Sequence, residues 1–193
     1  MTILQNGVNQ PTKTSSFGVS KRENHNADDF YNRFPPIKQD KTLEPSPPSV
    51  INKLIAGDSR NMSLINSNST ALVVTSPPYF AGKEYELDLG QNGIPASYGE
   101  YLRMLKDVFT ECWRVLEPGG RIAINVANLG RKPYRSLSSD ITRTLQDDIG
   151  FLLRGEIVWI KAQGASGSCA WGSFQSASNP VLRDVTERII VAS

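Results

Sequence analysis

The sequence contains very few of the residues that build metal sites and hydrolytic triads. It has one histidine and two cysteines among 193 residues, and the histidine, His25, lies in a polar segment. Catalytic zinc sites and Ser-His-Asp triads both depend on histidine, so we expect neither. Cys112 and Cys169 are far apart and form no Cys-x-x-Cys pattern, which is typical of reduced thiols in a cytosolic protein.

Long apolar runs are also missing. No stretch is long enough to cross a bilayer, and residues 1–10 lack the apolar centre of a signal peptide. These absences favour a cytoplasmic protein. The net charge of +2 neither requires nor excludes a nucleic-acid partner. No Gly-x-Gly-x-x-Gly follows an apolar run, so these residues do not encode the usual glycine-rich cofactor loop.

The first part of the chain differs in composition from the rest. Residues 1–48 are rich in Asn, Ser, Thr, Lys and Pro, and Phe30, Tyr31 and Phe34 form their only aromatic cluster. A segment of this kind buries too little apolar surface to fold, so we predict a mostly disordered polar leader. An arm that contacts DNA or a partner is the alternative. We expect the folded domain to occupy residues 49–193.

Beyond the leader, short apolar segments alternate with amphipathic ones. Ser97 and Glu100 form a capping box at the start of a helix that we expect to end at Pro118-Gly119-Gly120. Ser138 or Ser139 is expected to cap a second helix, with Gly150 after its end. Strands are predicted at Lys53–Ala56, Leu72–Thr75, Arg121–Val126, Gly155–Lys161 and Glu187–Ala192.

This alternation is typical of a Rossmann-like α/β sheet that is mostly parallel. No helix is predicted between the last two strands, so we expect them to be antiparallel neighbours. Trp113 and Trp159 are interpreted as core residues.

The most informative segment is the apolar run Ala71–Val74 followed by Thr75, Ser76, Pro77, Pro78 and Tyr79. Two prolines cannot continue a central strand because neither donates a ladder hydrogen bond. Binding sites of open α/β sheets lie at the carboxyl ends of strands. The prolines leave carbonyl acceptors, serine adds a hydroxyl and tyrosine a flat ring. This combination suits a planar group with an amino substituent, such as a nucleobase; the alternative is a Pro-Pro turn with a packed tyrosine.

Ser76-Pro77-Pro78-Tyr79 after an apolar strand resembles the catalytic motif of the DNA amino-methyltransferases. Serine in the first position is most typical of the cytosine-N4 branch, whereas adenine-N6 enzymes more often have Asp or Asn. Roughly residues 50–193 share the resemblance. The other matching segments are Lys53–Arg60, Leu116–Val126, Trp171–Phe174, Ser178–Val181, Arg183-Asp184 and Glu187–Val191.

The resemblance implies a transfer of methyl from S-adenosylmethionine to the exocyclic N4 amine of a cytosine flipped out of double-stranded DNA. The implied catalytic residues are Ser76, Pro77, Pro78 and Tyr79. The implied cofactor-binding residues are Gly57, Asp58 and Thr75, with Asp58 at the adenine amine. The residues implied on the target-base or DNA side are Tyr79, Trp171, Ser173, Phe174 and Arg183.

Some of these residues also have simpler interpretations. Asp58 can be part of an ordinary Gly-Asp turn. Trp171 can pack inward from a surface loop. Adenine-N6 methylation remains an alternative activity. An inactive DNA-binding or assembly subunit is an alternative of a different class.

The resemblance is incomplete, because the family's glycine-rich loop and the two strands beside it have no counterpart in these residues. In the permuted motif order of the family, that half would follow residue 193. We therefore expect a partial methyltransferase fold that is inactive without the glycine-loop half. The chain would then be either a truncated product or one polypeptide of a split enzyme that a second polypeptide completes. The implied setting is a prokaryotic restriction–modification system, with the enzyme acting at the nucleoid.

Overall fold

The computed structural model describes residues 33, 40, 42–81, 97–128, 133–161 and 184–193, and the backbone of 170–171 and 181–182. The chain divides into two units, Met1–Asp40 and Lys41–Ser193, and every element below belongs to the second. No described helix is long and apolar enough to cross a membrane. Ser46 and Pro47 already bond to the segment that precedes the sheet, at the Asn68 carbonyl and the Asn66 side chain. The boundary after residue 48 stays a prediction.

Six strands are found in the described part of the chain: β1 (Thr70–Thr75), β2 (Leu116–Val126), β3 (Leu153–Ile160), β4 (Ala170–Trp171), β5 (Val181–Leu182) and β6 (Thr186–Ala192). Four of them form one sheet in the order β1-β2-β6-β3, and β4 pairs with β5 separately. β1 and β2 are parallel, while β6 is antiparallel to both β2 and β3. The predicted sheet with an antiparallel last strand is therefore confirmed.

The first helix, α1 (Tyr98–Val115), begins where the sequence predicts. The Ser97 hydroxyl accepts from the Glu100 amide and the Glu100 carboxylate accepts from the Ser97 amide, both at 3.2 Å. These reciprocal bonds satisfy amides that a helix start otherwise leaves unpaired. The helix ends at Val115, earlier than expected, and β2 follows at once. The β1–β2 register jumps from Thr70–Leu116 to Leu72–Arg121, which absorbs the Pro-Gly-Gly segment inside β2.

The second helix, α2 (Leu137–Arg143), continues as a π-helical turn over Thr144–Ile149. Gly150 follows with a φ of 100°, a left-handed conformation that glycine adopts at little cost, so the predicted helix end is confirmed. The predicted cap is wrong. Ser136 is the capping position, and Ser138 lies inside the helix, where its amide donates to Asn128 Oδ1 at 2.9 Å.

The core lies between the two helices and one face of the sheet. Alternate residues of β2, namely Ile122, Ile124 and Val126, are fully buried, because successive side chains of a strand point to opposite faces. The helices contribute the other buried side chains, chiefly Tyr101, Leu105, Phe109, Leu137, Ile141 and Leu145. The core is therefore one-sided.

The opposite face of the sheet is open. Leu72 and Val74 on β1 are 56% and 73% exposed, and Trp159 on β3 is 52% exposed. The register puts these side chains on one face, since Val74 pairs with Ala123, Ala123 with Val191, and Trp159 with Glu187. Our expectation that Trp159 lies in a core is wrong within the described structure, because no described helix covers this face. Trp113 is also partly exposed.

The segment before β1 contains no strand, so the strand predicted at Lys53–Ala56 is wrong for this structure. An extended segment needs a neighbouring ladder to satisfy its backbone, and the described residues offer none beside it. Residues downstream of this segment dock on α1 instead. Arg114 donates to the carbonyls of Ile65 and Met62 at 3.0 and 2.9 Å, and Glu111 accepts from the Met62 amide at 2.8 Å.

Candidate functional site

The residues Ser76–Tyr79, which we call the ledge, follow the carboxyl end of β1. Pro77 is buried and Ser76 is exposed. The Tyr101 hydroxyl, from the buried face of α1, donates to the Pro78 carbonyl. The Ser76 hydroxyl and the carbonyls of Ser76 and Pro77 stay the predicted acceptors for a ligand. Phe80, with a φ of 55°, turns the chain away in a conformation that is uncommon for a bulky residue.

Tyr79 is half-buried, and several polar groups surround its hydroxyl. Ser76 Oγ and Asn125 Nδ2 each lie 3.0 Å from Tyr79 Oη. Glu187 Oε2 lies 3.3 Å away and the Asn125 backbone carbonyl 3.4 Å away. The hydroxyl is thus hydrogen-bonded from several sides, and the rest of the Tyr79 side chain packs against the core. Such a ring is a fixed surface for stacking.

Glu187 is the buried carboxylate of this group, only 7% exposed. It accepts hydrogen bonds from Lys161 Nζ and Asn125 Nδ2. Burial raises the pKa of Glu187, but the bonds from Lys161 and Asn125 outweigh it, so the pKa lies below its ordinary value. The carboxylate therefore stays charged at neutral pH.

The ledge network, as we call Ser76, Tyr79, Asn125, Lys161 and Glu187, draws on all four strands of the sheet. Tyr79 follows β1, Asn125 lies in β2, Lys161 follows β3 and Glu187 lies in β6. Burial raises the pKa of Tyr79, and the nearby Glu187 charge raises it further. The phenol therefore stays protonated and able to donate at neutral pH.

Aromatic rings extend the site from Phe80 toward α2. The Phe80 ring stacks on Tyr101 with 5.2 Å between centroids and meets Tyr98 edge-on at 5.9 Å. The Arg135 guanidinium lies 4.1 Å from the centroid of Tyr98, a cation–π geometry. Tyr98 donates to Asp140 at 2.8 Å, and burial together with Asp140 raises the pKa of Tyr98 to about 12.

The cofactor residues implied by the resemblance lie in two places. Thr75 ends β1 opposite Ile124, directly before the ledge. Gly57 and Asp58 are exposed, and Asp58 binds Arg60 through both carboxylate oxygens, with Oδ–N distances from 2.5 to 3.0 Å. The hydrogen bonds from Arg60 lower the pKa of Asp58. Within the described residues, no hydrogen bond links Asp58 to the ledge.

The residues implied on the DNA side, apart from Tyr79, all follow β3 in the sequence. Trp171 belongs to the backbone of β4. Ser173, Phe174 and Arg183 lie outside the described residues, so their roles stay predictions. Cys112 lies on the buried face of α1, where its thiol packs into the core and burial raises its pKa to about 11. Among the described residues, no group of three or more metal-ligating side chains occurs.

The sequence did not predict three residues of the ledge network as site residues, namely Asn125, Lys161 and Glu187. Each is a polar residue within or beside an apolar strand: Asn125 in Ile-Ala-Ile-Asn-Val, Lys161 after Ile-Val-Trp-Ile, and Glu187 before Arg-Ile-Ile-Val. An ionisable or amide group at such a position has to find a buried partner. A polar residue in or beside an apolar strand was therefore the pattern that could have indicated these residues, although it does not predict which of them meet.

Comparison with known proteins gives a consistent result. A profile described as DNA methylase, covering N6 and N4 enzymes, matches residues 70–193. The Type II methyltransferase M.MjaVI of Methanocaldococcus jannaschii is 34% identical over 139 residues, which are 72% of this chain and 68% of that protein. The Type II methyltransferase M.BglII of Bacillus subtilis is 33% identical over 120 residues, which are 61% of this chain and 31% of that protein.

Solved structures share the fold. A protein of Thermus thermophilus, TTHA0409, assigned as a DNA modification methylase and solved with S-adenosyl-L-methionine, has a TM-score of 0.50 and 27% identity, over 70% of this chain and 52% of that one. The cytosine-N4-specific PvuII DNA methyltransferase has a TM-score of 0.51 and 20% identity, over 71% of this chain and 47% of that one. The chain thus spans about half the length of these structures.

Proposed function

The chain belongs to the DNA methylase family of N6 and N4 enzymes, and from this premise we propose that it is the base-binding half of an S-adenosylmethionine-dependent DNA methyltransferase. The single observation that supports this most is the ledge, with an exposed Ser76 beside a Tyr79 whose hydroxyl is held by Asn125 and the buried Glu187. An acceptor next to a fixed aromatic ring is the arrangement that an extruded nucleobase requires.

In the proposed reaction, this chain binds the base and orients its amine. The ring of Tyr79 stacks on the base, and the acceptors of Ser76 and Pro77 receive the amine hydrogens. These contacts aim the nitrogen lone pair, so their contribution is one of positioning. The nitrogen would gain the methyl group as the sulfur–methyl bond of the sulfonium breaks and leaves a neutral thioether, and it would lose one proton to solvent. No covalent bond to the protein forms. A buried Cys112 with a raised pKa is consistent with attack that uses no thiol.

S-adenosylmethionine supplies, when bound, a methyl group on a positively charged sulfur. We assign Gly57, Asp58 and Thr75 to its binding. The fit of the described residues is partial, since the Asp58 carboxylate is an acceptor for an adenine amine but already binds Arg60. Arg60 would share or release those oxygens.

We propose cytosine N4 as the methylated atom. Support comes from Ser76, because serine is most typical of the cytosine-N4 branch in this motif. Adenine N6 is the alternative. Mass spectrometry of nucleosides from DNA exposed to the complete enzyme distinguishes them: N4-methylcytosine is expected, and N6-methyladenine as the sole product would refute the assignment.

A glycine-loop half completes the enzyme in this proposal, supplied by a second polypeptide or by further sequence. Support comes from the open face of the sheet, with Leu72 and Val74 exposed, and from the free edge of β1 in the described sheet. Unpaired strand edges and large apolar patches mark surfaces that bind other protein segments.

We propose a cytoplasmic location, at the nucleoid.

The decisive experiment compares wild type with Ser76→Ala/Tyr79→Ala in the complete enzyme. Stacking on an aromatic ring contributes about 1–3 kcal/mol per base, and the acceptor is lost as well, so methyl incorporation into DNA should fall to background. Arg154→Gln, an exposed substitution near Ser193, is the control and should retain activity. Unchanged methylation in the double variant would indicate an inactive DNA-binding or assembly subunit instead.

A further inference from the structure

The ledge network contains an asymmetry between donors and acceptors. Glu187 as a charged carboxylate can only accept hydrogen bonds, and so can the backbone carbonyl of Asn125. Both lie beside Tyr79 Oη, at 3.3 and 3.4 Å. The hydroxyl proton of Tyr79 is therefore directed toward these two groups.

The direction of the next bond follows from the first. Once the Tyr79 proton points to Glu187, Tyr79 Oη can only accept from its remaining neighbours. Asn125 Nδ2, at 3.0 Å, is a donor. Ser76 Oγ, also at 3.0 Å, must then donate its own proton to Tyr79. The hydrogen bonds run from Ser76 to Tyr79 to Glu187.

This direction determines whether Ser76 meets a ligand as a hydrogen-bond donor or as an acceptor. With its proton turned to Tyr79, Ser76 Oγ is left with lone pairs and meets a ligand as an acceptor. An exocyclic amine brings donors, so the polarity of the two groups matches. The opposite direction would turn a serine proton toward the amine and oppose binding.

Lys161 keeps Glu187 in the required state. Its ammonium binds Glu187 Oε1 while the other oxygen faces Tyr79 and Asn125. A glutamine at position 187 would keep its oxygen toward Lys161 and would turn its NH₂ group toward Tyr79. The Tyr79 oxygen would then accept from position 187. Its proton would be shared between the Asn125 carbonyl at 3.4 Å and the nearer Ser76 Oγ at 3.0 Å, so the Ser76–Tyr79 bond would no longer have one fixed direction.

We propose that Glu187 is a positioning residue that fixes the direction of the ledge hydrogen bonds, so that Ser76 faces the substrate amine as an acceptor and the ring of Tyr79 stays in place. This role rests on the proposed function and deepens it. Glu187 itself touches no substrate in the proposal and acts only through Tyr79.

The first test needs no methyl transfer. The chain has six tyrosines; with 3-fluorotyrosine in their place, ¹⁹F NMR follows each phenol, and Tyr79→Phe identifies the resonance of Tyr79. Because the Glu187 charge raises the pKa of Tyr79, Glu187→Gln should lower the titration midpoint of that resonance. Glu156→Gln is the matched control: it removes the same charge from β3, where Glu156 lies 3.9 Å from Arg188, and should leave the midpoint unchanged.

The second test uses the complete enzyme, this chain together with the glycine-loop half. Glu187→Gln and Tyr79→Phe should each lower kcat by about tenfold, since small misplacements of positioning groups have effects of this order or larger, with little change in the KM for DNA. The double variant should be no slower than either single variant, because both interrupt one chain of bonds. Glu156→Gln should be as active as wild type.

The outcomes separate the two proposals. An unchanged Tyr79 midpoint in Glu187→Gln, or rate losses that multiply in the double variant, would overturn the positioning role while leaving the methyltransferase assignment intact. A wild-type complete enzyme that methylates no DNA would refute the proposed function, and the positioning role would fall with it. Thermal unfolding of each variant checks that the fold persists, and Tyr79→Phe, which leaves the Lys161–Glu187 pair intact, serves if Glu187→Gln is unstable.

Discussion

The Tyr101 hydroxyl donates a hydrogen bond to the Pro78 carbonyl, which joins the buried face of α1 directly to the ledge. Tyr101 is fully buried, and its ring stacks on Phe80. One side chain of the core thus fixes both the residue before Tyr79 and the residue after it. The ledge network holds Tyr79 from the sheet side. A proline-rich loop at a strand end is in this way held from the helix layer and from the sheet.

Tyr101→Phe removes the donor and keeps the ring. The Pro78 carbonyl then loses this buried partner, and we expect the free energy of unfolding to fall by about 1–2 kcal/mol. In the complete enzyme, kcat should fall as the ledge loosens. Urea denaturation measures the first effect and steady-state kinetics the second. Tyr134→Phe is the control, because Tyr134 is exposed and its hydroxyl makes a long bond of 3.4 Å to Asp184 Oδ2. Unchanged stability in Tyr101→Phe would show that the bond to Pro78 contributes nothing.

Asp58→Asn tests our proposal that Asp58 binds the adenine amine of S-adenosylmethionine. A carboxylate is a stronger acceptor than an amide, so the affinity of the complete enzyme for S-adenosylmethionine should fall by about tenfold. Arg60→Gln, in contrast, frees the Asp58 oxygens from their present partner and should leave the affinity equal or raise it. Isothermal titration calorimetry measures both. Equal affinity in wild type and Asp58→Asn would show that Asp58 does not bind the cofactor and instead belongs to a turn that its pairing with Arg60 stabilises.

Acid should destabilise the folded chain in part through Glu187. Its pKa in the folded state lies below the ordinary value of 4.5, so the unfolded chain takes up a proton first as the pH falls. The stability that this carboxylate contributes is fully present above about pH 4.5 and is lost as the pH falls through the folded-state pKa. Thermal unfolding measured between pH 7 and pH 3 should show a smaller acid-induced loss for Glu187→Gln than for wild type. An identical pH dependence of the two proteins would contradict the lowered pKa.

The open face of the sheet should make the isolated chain self-associate. Leu72 and Val74 expose apolar surface on an edge strand, a combination that favours association. Leu72→Thr/Val74→Thr keeps residues that suit a strand and should reduce both the sedimentation-measured association and the binding of an apolar dye. Leu64→Thr, at an equally exposed leucine outside the sheet, is the control. If the control variant reduces association as much, the sheet face is not the surface responsible.

Local sequence patterns predicted the elements that local interactions stabilise. Ser97 and Glu100 form their capping box because both partners lie within one turn, and Gly150 ends α2 through its own backbone conformation. The alternation of apolar residues in Ile122–Val126 indicates a strand whichever strand lies beside it. The ledge was recognisable for the same reason, since its prolines interrupt a strand by their own covalent structure.

Expectations failed where the outcome depended on distant partners. Lys53–Ala56 has the composition of a strand, but a strand exists only with a neighbour, and the described sheet places none beside it. Trp159 was predicted to lie in a core, yet burial depends on what covers the face on which it lies. Helix α1 ends at Val115, and Leu116 pairs with Thr70 of β1, a contact across the sheet that the local pattern does not contain.

The sequence by itself determined the order of the two helices and of the four strands of the main sheet, the proline-stiffened motif at Ser76–Tyr79 and the cap of α1, because these features arise from neighbouring residues and their covalent geometry. Only the tertiary structure decided that Asn125 and Glu187 meet at the Tyr79 hydroxyl and that Lys161 pairs with Glu187. They lie in or beside three different strands, and the pairing β2-β6-β3 brings them together. The spacing of these residues along the chain does not predict that pairing, because hydrogen bonds between strands connect residues at arbitrary separations in the sequence.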